Sequence, residues 1–287
     1  MKKKIVILGC ENSHANTFLT CLKENPKYED VEVIGIYSDE EEEVKILCDT
    51  YGLYAMKSYD EFAGKVDGVI VTARHGDNHY KYAKPYIASG VPMFIDKPIT
   101  MTEEDAIALA RDLKKYNVPV SGGSMLKYAM GVQGLKKSVQ EYGKIMGGYV
   151  RAPYTLDNGY GGFKFYAQHL VQMLTTVFGY FPKAVRVAEK NDHLTVLFRY
   201  EDYDVTGVFY ESVFRYAIFA ACEHGTPGEP VTHDRCGLAE FDVYYELLHG
   251  AKQEETYDEF IAAVFILNAI ERALESGKEE PIHTYSV

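Results

Sequence analysis

One pattern recurs through the first 122 residues: a short unbroken apolar run, a glycine or polar turn, then apolar residues at helical spacing. Ile5-Val6-Ile7-Leu8 is the first such run. A strand that is apolar on both sides must be covered on both sides, as in a parallel sheet flanked by helices. Val31 to Tyr37, Val66 to Thr72, Val91 to Ile95 and Val118 to Ser121 read as the remaining strands. Between them, helical spacing runs from Ser13 to about Lys23, Glu40 to Tyr51 and Asn78 to Ser89, with a short helix expected at Tyr59 to Phe62. Gly52 and Gly90 stop two of these helices. Thr100 or Thr102 caps another, which opens with Glu103-Glu104-Asp105 on the positive end of its dipole. Such alternation implies a doubly wound parallel sheet with right-handed crossovers.

Gly122-Gly123 reads as a hinge, after which a helix is expected from Met130 to Tyr142. The pattern then changes to that of a mostly antiparallel sheet. Its strands are expected at Tyr149 to Tyr154, Val185 to Ala188, Leu194 to Tyr200, Val205 to Tyr210 and Tyr216 to Ala221. Helices are expected at Phe165 to Phe178 and Tyr257 to Ser276. The fold class is therefore α/β. A doubly wound domain at 1–122 precedes an α+β domain with an open, mostly antiparallel sheet at 123–287.

Composition narrows the function. A net charge of -12 argues against nucleic acid or an anionic membrane as partner. No apolar run reaches the roughly 20 residues that span a bilayer. The five cysteines form no CxxC pair and are odd in number, which suits reduced thiols in a cytoplasm. No Cys/His spacing repeats in the way zinc ligands do, so no metal is expected.

The strand at Val91 ends in Asp96-Lys97-Pro98. Open α/β sheets bind ligands at the carboxyl ends of their strands, and the proline holds the preceding lysine in one direction. With Asp67-Gly68-Val69-Ile70-Val71-Thr72, His79, the run Gly90 to Pro98 and the helix ending Ala273 to Lys278, the chain resembles the glucose-fructose oxidoreductase, inositol dehydrogenase and rhizopine-catabolism (Gfo/Idh/MocA) family. The resemblance covers nearly the whole chain. It implies an N-terminal Rossmann domain that binds NAD(P) and a second domain for substrate and oligomerisation. The family usually has Glu-Lys-Pro where Asp96-Lys97-Pro98 stands. By the resemblance, Lys97 bonds the reacting oxygen and stabilises its developing negative charge. His169 matches the family's general base. Two departures accompany it: the aspartate usual three residues later is Gln172, and the one often found four residues earlier is Phe165.

The glycine loop also departs. G-x-G-x-x-G/A becomes Gly9-Cys10-Glu11-Asn12-Ser13-His14. Gly9 keeps the tight turn, Glu11 replaces the glycine that admits the pyrophosphate, and His14 replaces a small packing residue. Asn12 and Ser13 offer polar groups at a helix N-terminus. His14 reads equally well as a partner for phosphate or substrate and as a residue packed on the sheet. Asp39 sits at or beside the ribose-binding position, and no arginine nearby would receive a 2′-phosphate. NAD is therefore favoured over NADP. Thr72, Arg74 and His79 lie where the resemblance places cofactor contacts, as do Asp96, Lys97 and Pro98. Lys127, Tyr166 and Gln172 join Lys97 and His169 as expected substrate contacts, with a surface ion pair as the other reading of Lys127.

The expectation is an NAD(P)-dependent oxidoreductase acting on a sugar, cyclitol or related polyol, forming a homodimer or homotetramer. Tyrosines 149, 154, 160 and 166 lead into His169; their rings suit sugar faces or subunit interfaces alike. The alternative is a non-catalytic ligand-binding or regulatory protein on the same fold, motivated by Glu11, Phe165 and Gln172.

Overall fold

The computed structural model describes residues 2–287, which divide into two units. The first holds the parallel sheet: β1 (Lys3–Leu8), β2 (Val31–Tyr37), β3 (Gly68–Val71), β4 (Met93–Asp96) and β5 (Val120–Gly123). Their order is β2-β1-β3-β4-β5. A parallel bridge between Ile36 and Ala55 lengthens the β2 edge. The helices are α1 (Ser13–Glu24), α2 (Glu41–Tyr51), α3 (Asp77–Ile87) and α4 (Glu103–Lys115). The chain leaves β1 toward β2 on one side and later returns to β3 on the other, so the switch point lies between β1 and β3. All four residues of β3 and of β4 are buried, as strands covered on both faces should be.

The second unit holds α5 (Met130–Ser138), β6 (Ile145–Tyr154), α6 (Phe163–Phe178), β7 (Ala184–Lys190), β8 (His193–Arg199), β9 (Asp204–Glu211), β10 (Tyr216–Cys222) and β11 (Gly228–Val231). Its sheet runs β11-β10-β6-β9-β8-β7-β12, where β12 is Glu280–Pro281. Only the β6 and β9 pair is parallel. Leu170, Val171 and Leu174 of α6 share one core with Val150 of β6, Val196 and Phe198 of β8, and Phe209 of β9. Ile266 and Ile270 join it from a long helix at Tyr257–Ser276.

Three details differ from the sequence reading. Tyr59 to Phe62 forms turns and no helix. β11 was not anticipated. The helix α7 (Cys236–Leu248) was not anticipated either, and the stretch Gly237–Tyr257 packs with the first unit. A single boundary at 122/123 therefore does not describe the division, because this later stretch completes the first core. The Tyr257–Ser276 helix is thus α8. Phe241 of α7 packs against Phe18 at 5.3 Å and edge-on to Tyr28 at 4.9 Å. Asp242 accepts from the Tyr28 hydroxyl at 2.7 Å, and Asp30 lies 2.8 Å from His249 Nε2.

Tyr244 of α7 is fully buried, with its hydroxyl above Gly68 and without a hydrogen-bond partner. A buried hydroxyl left unbonded costs about 1–3 kcal/mol. Tyr244→Phe is therefore expected to leave the protein equally stable or raise its urea midpoint. A loss of more than about 1 kcal/mol would reveal a partner for that hydroxyl.

Candidate functional site

At the switch point, Gly9 carries the chain out of β1 with a φ of +77°, and a Cβ there would lie 2.3 Å from Ala73 Cα. Glycine alone permits that approach. Thr72, fully buried, donates its hydroxyl to Gly9 O at 3.0 Å and ties the two strand ends together. Asn12 caps α1, its side-chain oxygen accepting from His14 N at 3.3 Å. The Ser13 hydroxyl bonds the same oxygen at 3.4 Å. Among the described residues, the N–H groups of Glu11, Asn12 and Ser13 have no backbone partner, which leaves donors at the positive end of α1.

Glu11 is buried and spans the ends of β2 and β3. One carboxylate oxygen accepts from Ser38 Oγ at 2.7 Å, the other from Arg74 N at 2.9 Å. The Arg74 guanidinium turns to Glu40 at 3.2 Å. Asp39 accepts from the Tyr37 hydroxyl at 2.6 Å and the Tyr82 hydroxyl at 2.8 Å. Those bonds, with Lys81, hold its carboxyl below the usual range. Each Asp39 oxygen keeps a further lone pair.

Asp96, at the end of β4, is fully buried. Its Oδ2 accepts from Asn12 Nδ2 at 3.1 Å and lies 3.0 Å from His14 Nδ1; its Oδ1 accepts from Lys97 N at 2.7 Å. Glu240 of α7, also fully buried, lies 3.9 Å from the same His14 nitrogen. Burial works against a charged imidazole, but Asp96, by charge and hydrogen bond, and then Glu240 outweigh it and push His14 up to about 8. His14 thus pairs with an acid through Nδ1. Burial lowers the Lys97 pKa, with Asp96 and Glu240 opposing it. The Lys97–Pro98 bond is cis.

His79 needs correction as a cofactor contact. It is fully buried, with Nε2 2.8 Å from Ala73 O and Nδ1 3.3 Å from Ile99 O; burial favours the neutral ring, whose single N–H donates to one of these carbonyls. No group of three or more His, Cys, Asp or Glu placed to hold a metal occurs among the described residues. Among them, too, no helix is long and apolar enough to cross a membrane.

In the second unit, His169 sits on α6. The loop before it is knotted by Asn158, whose amide bonds Thr155 O, Thr155 Oγ1 and Gly162 O while its oxygen accepts from Tyr160 N and Gly162 N. His169 Nδ1 lies 2.6 Å from the Ser124 hydroxyl. Gln172 accepts from Ser124 N and from Gln168 Nε2. The Tyr166 ring lies 6.2 Å from the imidazole, and Tyr216 stands edge-on to it at 6.0 Å. Lys127 is buried in the turn that follows Ser124. Ser124 and Glu240 escaped the sequence reading. A polar residue just past the end of β5 was an available signal for Ser124; Glu240 had none, because its helix was not foreseen.

A profile described as "Oxidoreductase family, NAD-binding Rossmann fold" (GFO_IDH_MocA) matches residues 3–124. Over these residues, which hold the parallel sheet of the first unit, the chain is similar to the Gfo/Idh/MocA family. No curated protein sequence matches it. Solved structures share the fold over both units. A scyllo-inositol dehydrogenase from Lactobacillus casei, with bound NAD(H) and scyllo-inositol, has a TM-score of 0.86 at 12% identity, covering 99% of this chain and all of that one. A myo-inositol 2-dehydrogenase from Lactobacillus plantarum gives 0.85 at 14% identity, with the same coverage. A myo-inositol dehydrogenase from Corynebacterium glutamicum gives 0.84 at 16%, again with 99% and 100% coverage.

NAD is the cofactor of this family's Rossmann domain, and the residues present fit it. The open N–H groups of α1 suit a pyrophosphate, and Asp39 is a charged acceptor for ribose hydroxyls. The charge of Asp39 would disfavour a 2′-phosphate at that position.

The His14 pair makes stability depend on pH. Its folded-state value of about 8 lies above the ordinary 6.5, so its contribution is complete below about pH 6.5 and is lost as pH rises through about 8. The shift is worth about 2 kcal/mol. The melting temperature is expected to fall between about pH 6.5 and pH 9, and His14→Gln should flatten that fall. Equal slopes in both proteins would mean that His14 is neutral throughout.

Proposed function

We propose that this chain is an NAD-dependent oxidoreductase acting on the CH–OH group of a sugar, cyclitol or related polyol. The observation that carries the reading is Lys97: a buried lysine at the carboxyl end of a parallel strand, in an NAD-binding Rossmann domain. The fold shared with inositol dehydrogenases supports the substrate class. Bound NAD would supply a hydride acceptor, and NADH a donor. Gly9 and the α1 N-terminus would hold its phosphates, Asp39 its ribose. Lys97 would face the reacting oxygen and offset its negative charge. His169 would hold the hydroxyl proton. Tyr166 and Lys127 would contact the substrate. Gln172, whose oxygen is engaged by Ser124 and Gln168, would act less directly.

A ligand-binding protein without turnover is the second reading, and Glu11 favours it. Its carboxylate already occupies donors at the ends of β2 and β3. Titration of the purified protein with NADH separates the two: micromolar binding supports the oxidoreductase, while no binding of NADH or NADPH supports the second reading. The open sheet of the second unit suits pairing with another copy, and a homodimer or homotetramer is proposed. The free cysteines suit a reducing cytoplasm.

Lys97→Ala is expected to bind NADH and fold normally while turnover of a polyol found by screening drops by more than about tenfold, or about 1.4 kcal/mol of transition-state stabilisation. An unchanged rate would remove Lys97 from the mechanism.

A further inference from the structure

Where the family usually carries an aspartate, Gln172 holds a serine in place. Its side-chain oxygen accepts the Ser124 N–H. Ser124 Oγ accepts the Leu126 N–H at 3.2 Å and so caps the short turn Met125–Tyr128. The same oxygen lies 2.6 Å from His169 Nδ1. Ser124 is 0% exposed and His169 5%. A side chain fixed through its own backbone, through a cap and by burial has little freedom to leave the imidazole. We propose that Ser124 is the positioning residue for His169, holding the ring through Nδ1. The proposal rests on the reading of His169 as the proton carrier.

Serine differs from a carboxylate in what it can do here. A hydroxyl has one donor and two acceptor sites, and Leu126 takes one acceptor. When Nδ1 carries a proton, it donates to the remaining lone pair, and the basic lone pair of the ring lies on Nε2. When the neutral ring carries its proton on Nε2, the hydroxyl turns and donates to Nδ1. An ionised carboxylate could serve only the first case, and would also favour the charged ring. In oxidation, Nε2 would take the hydroxyl proton as the O–H bond breaks and the C=O bond forms, and bound NAD would supply the acceptor for the hydride of the C–H bond. The imidazolium then holds both protons, one toward Ser124. Reduction is the reverse.

Two titratable rings lie against the imidazole: Tyr166 from α6, and Tyr216 from β10 with His233 behind it at 4.8 Å. Burial raises the Tyr216 hydroxyl and lowers His233, so both are neutral near pH 7.

The test is nitrogen-15 NMR of the histidine-labelled full chain, with His169 assigned by the loss of its signals in His169→Gln. In the wild type, the Nδ1 shift should be that of a hydrogen-bonded ring nitrogen. Ser124→Ala should change the tautomer ratio, and Ser124→Thr should restore it. Ser124→Asp should raise the His169 titration midpoint by about one pH unit or more. Unchanged ring shifts in Ser124→Ala and an unchanged midpoint in folded Ser124→Asp would overturn the proposal; the wild-type spectrum alone overturns it if Nδ1 proves unbonded. Failure of the underlying reading looks different: His169→Gln would keep full turnover while the ring shifts still followed Ser124.

Discussion

A carboxylate with no exposed surface must find partners or lose its charge. Asp96 is that carboxylate, and much of the first unit is arranged around it. Asn12 reaches it from the helix cap, His14 from the first turn of α1, and Lys97 through its backbone N–H. Two of these lie in the altered glycine loop. Of the loop's departures from the family pattern, His14 answers to this buried charge, whereas Glu11 serves Ser38 and Arg74 instead. Glu240, from a helix far along the chain, adds a second acid to the same pocket and explains why α7 belongs with this unit.

The architecture was legible wherever burial left an unambiguous trace. Strands covered on both faces read as continuous apolar runs, and Ile5 to Leu8 and Met93 to Ile95 are instances. α7 left no such trace. It joins Phe241, Tyr244 and Leu248 on its buried side with Asp242 and Glu246, and a fully buried Glu240 interrupts the apolar stripe. Tyr59 to Phe62 had the composition of a helix but is anchored as turns, with the Tyr86 hydroxyl bonded to Tyr59 O.

The site was legible in parts for a related reason. Gly9, Lys97 and His169 announce themselves because their chemistry is local to a strand end or a helix. The pairing of His14 with Asp96, 82 positions further along the chain, is one that spacing cannot reveal. His79 was misplaced because a histidine wholly enclosed by backbone carbonyls has the same sequence signature as one facing a ligand. Ser124 was overlooked because its importance comes from Gln172, which holds it, and from His169, which it touches.

The second sheet carries a consequence for how the protein is made. Its one parallel pair, β6 with β9, cannot be closed by a hairpin, and the segment between them contains α6, β7 and β8. Closing that long loop has an entropic cost that the local β7–β8–β9 meander avoids. The meander can therefore assemble on its own during synthesis. α6, which follows β6 directly in the chain, packs chiefly on that strand, so His169 is placed by a local β6–α6 unit and the pairing of β6 with β9 closes the sheet around it.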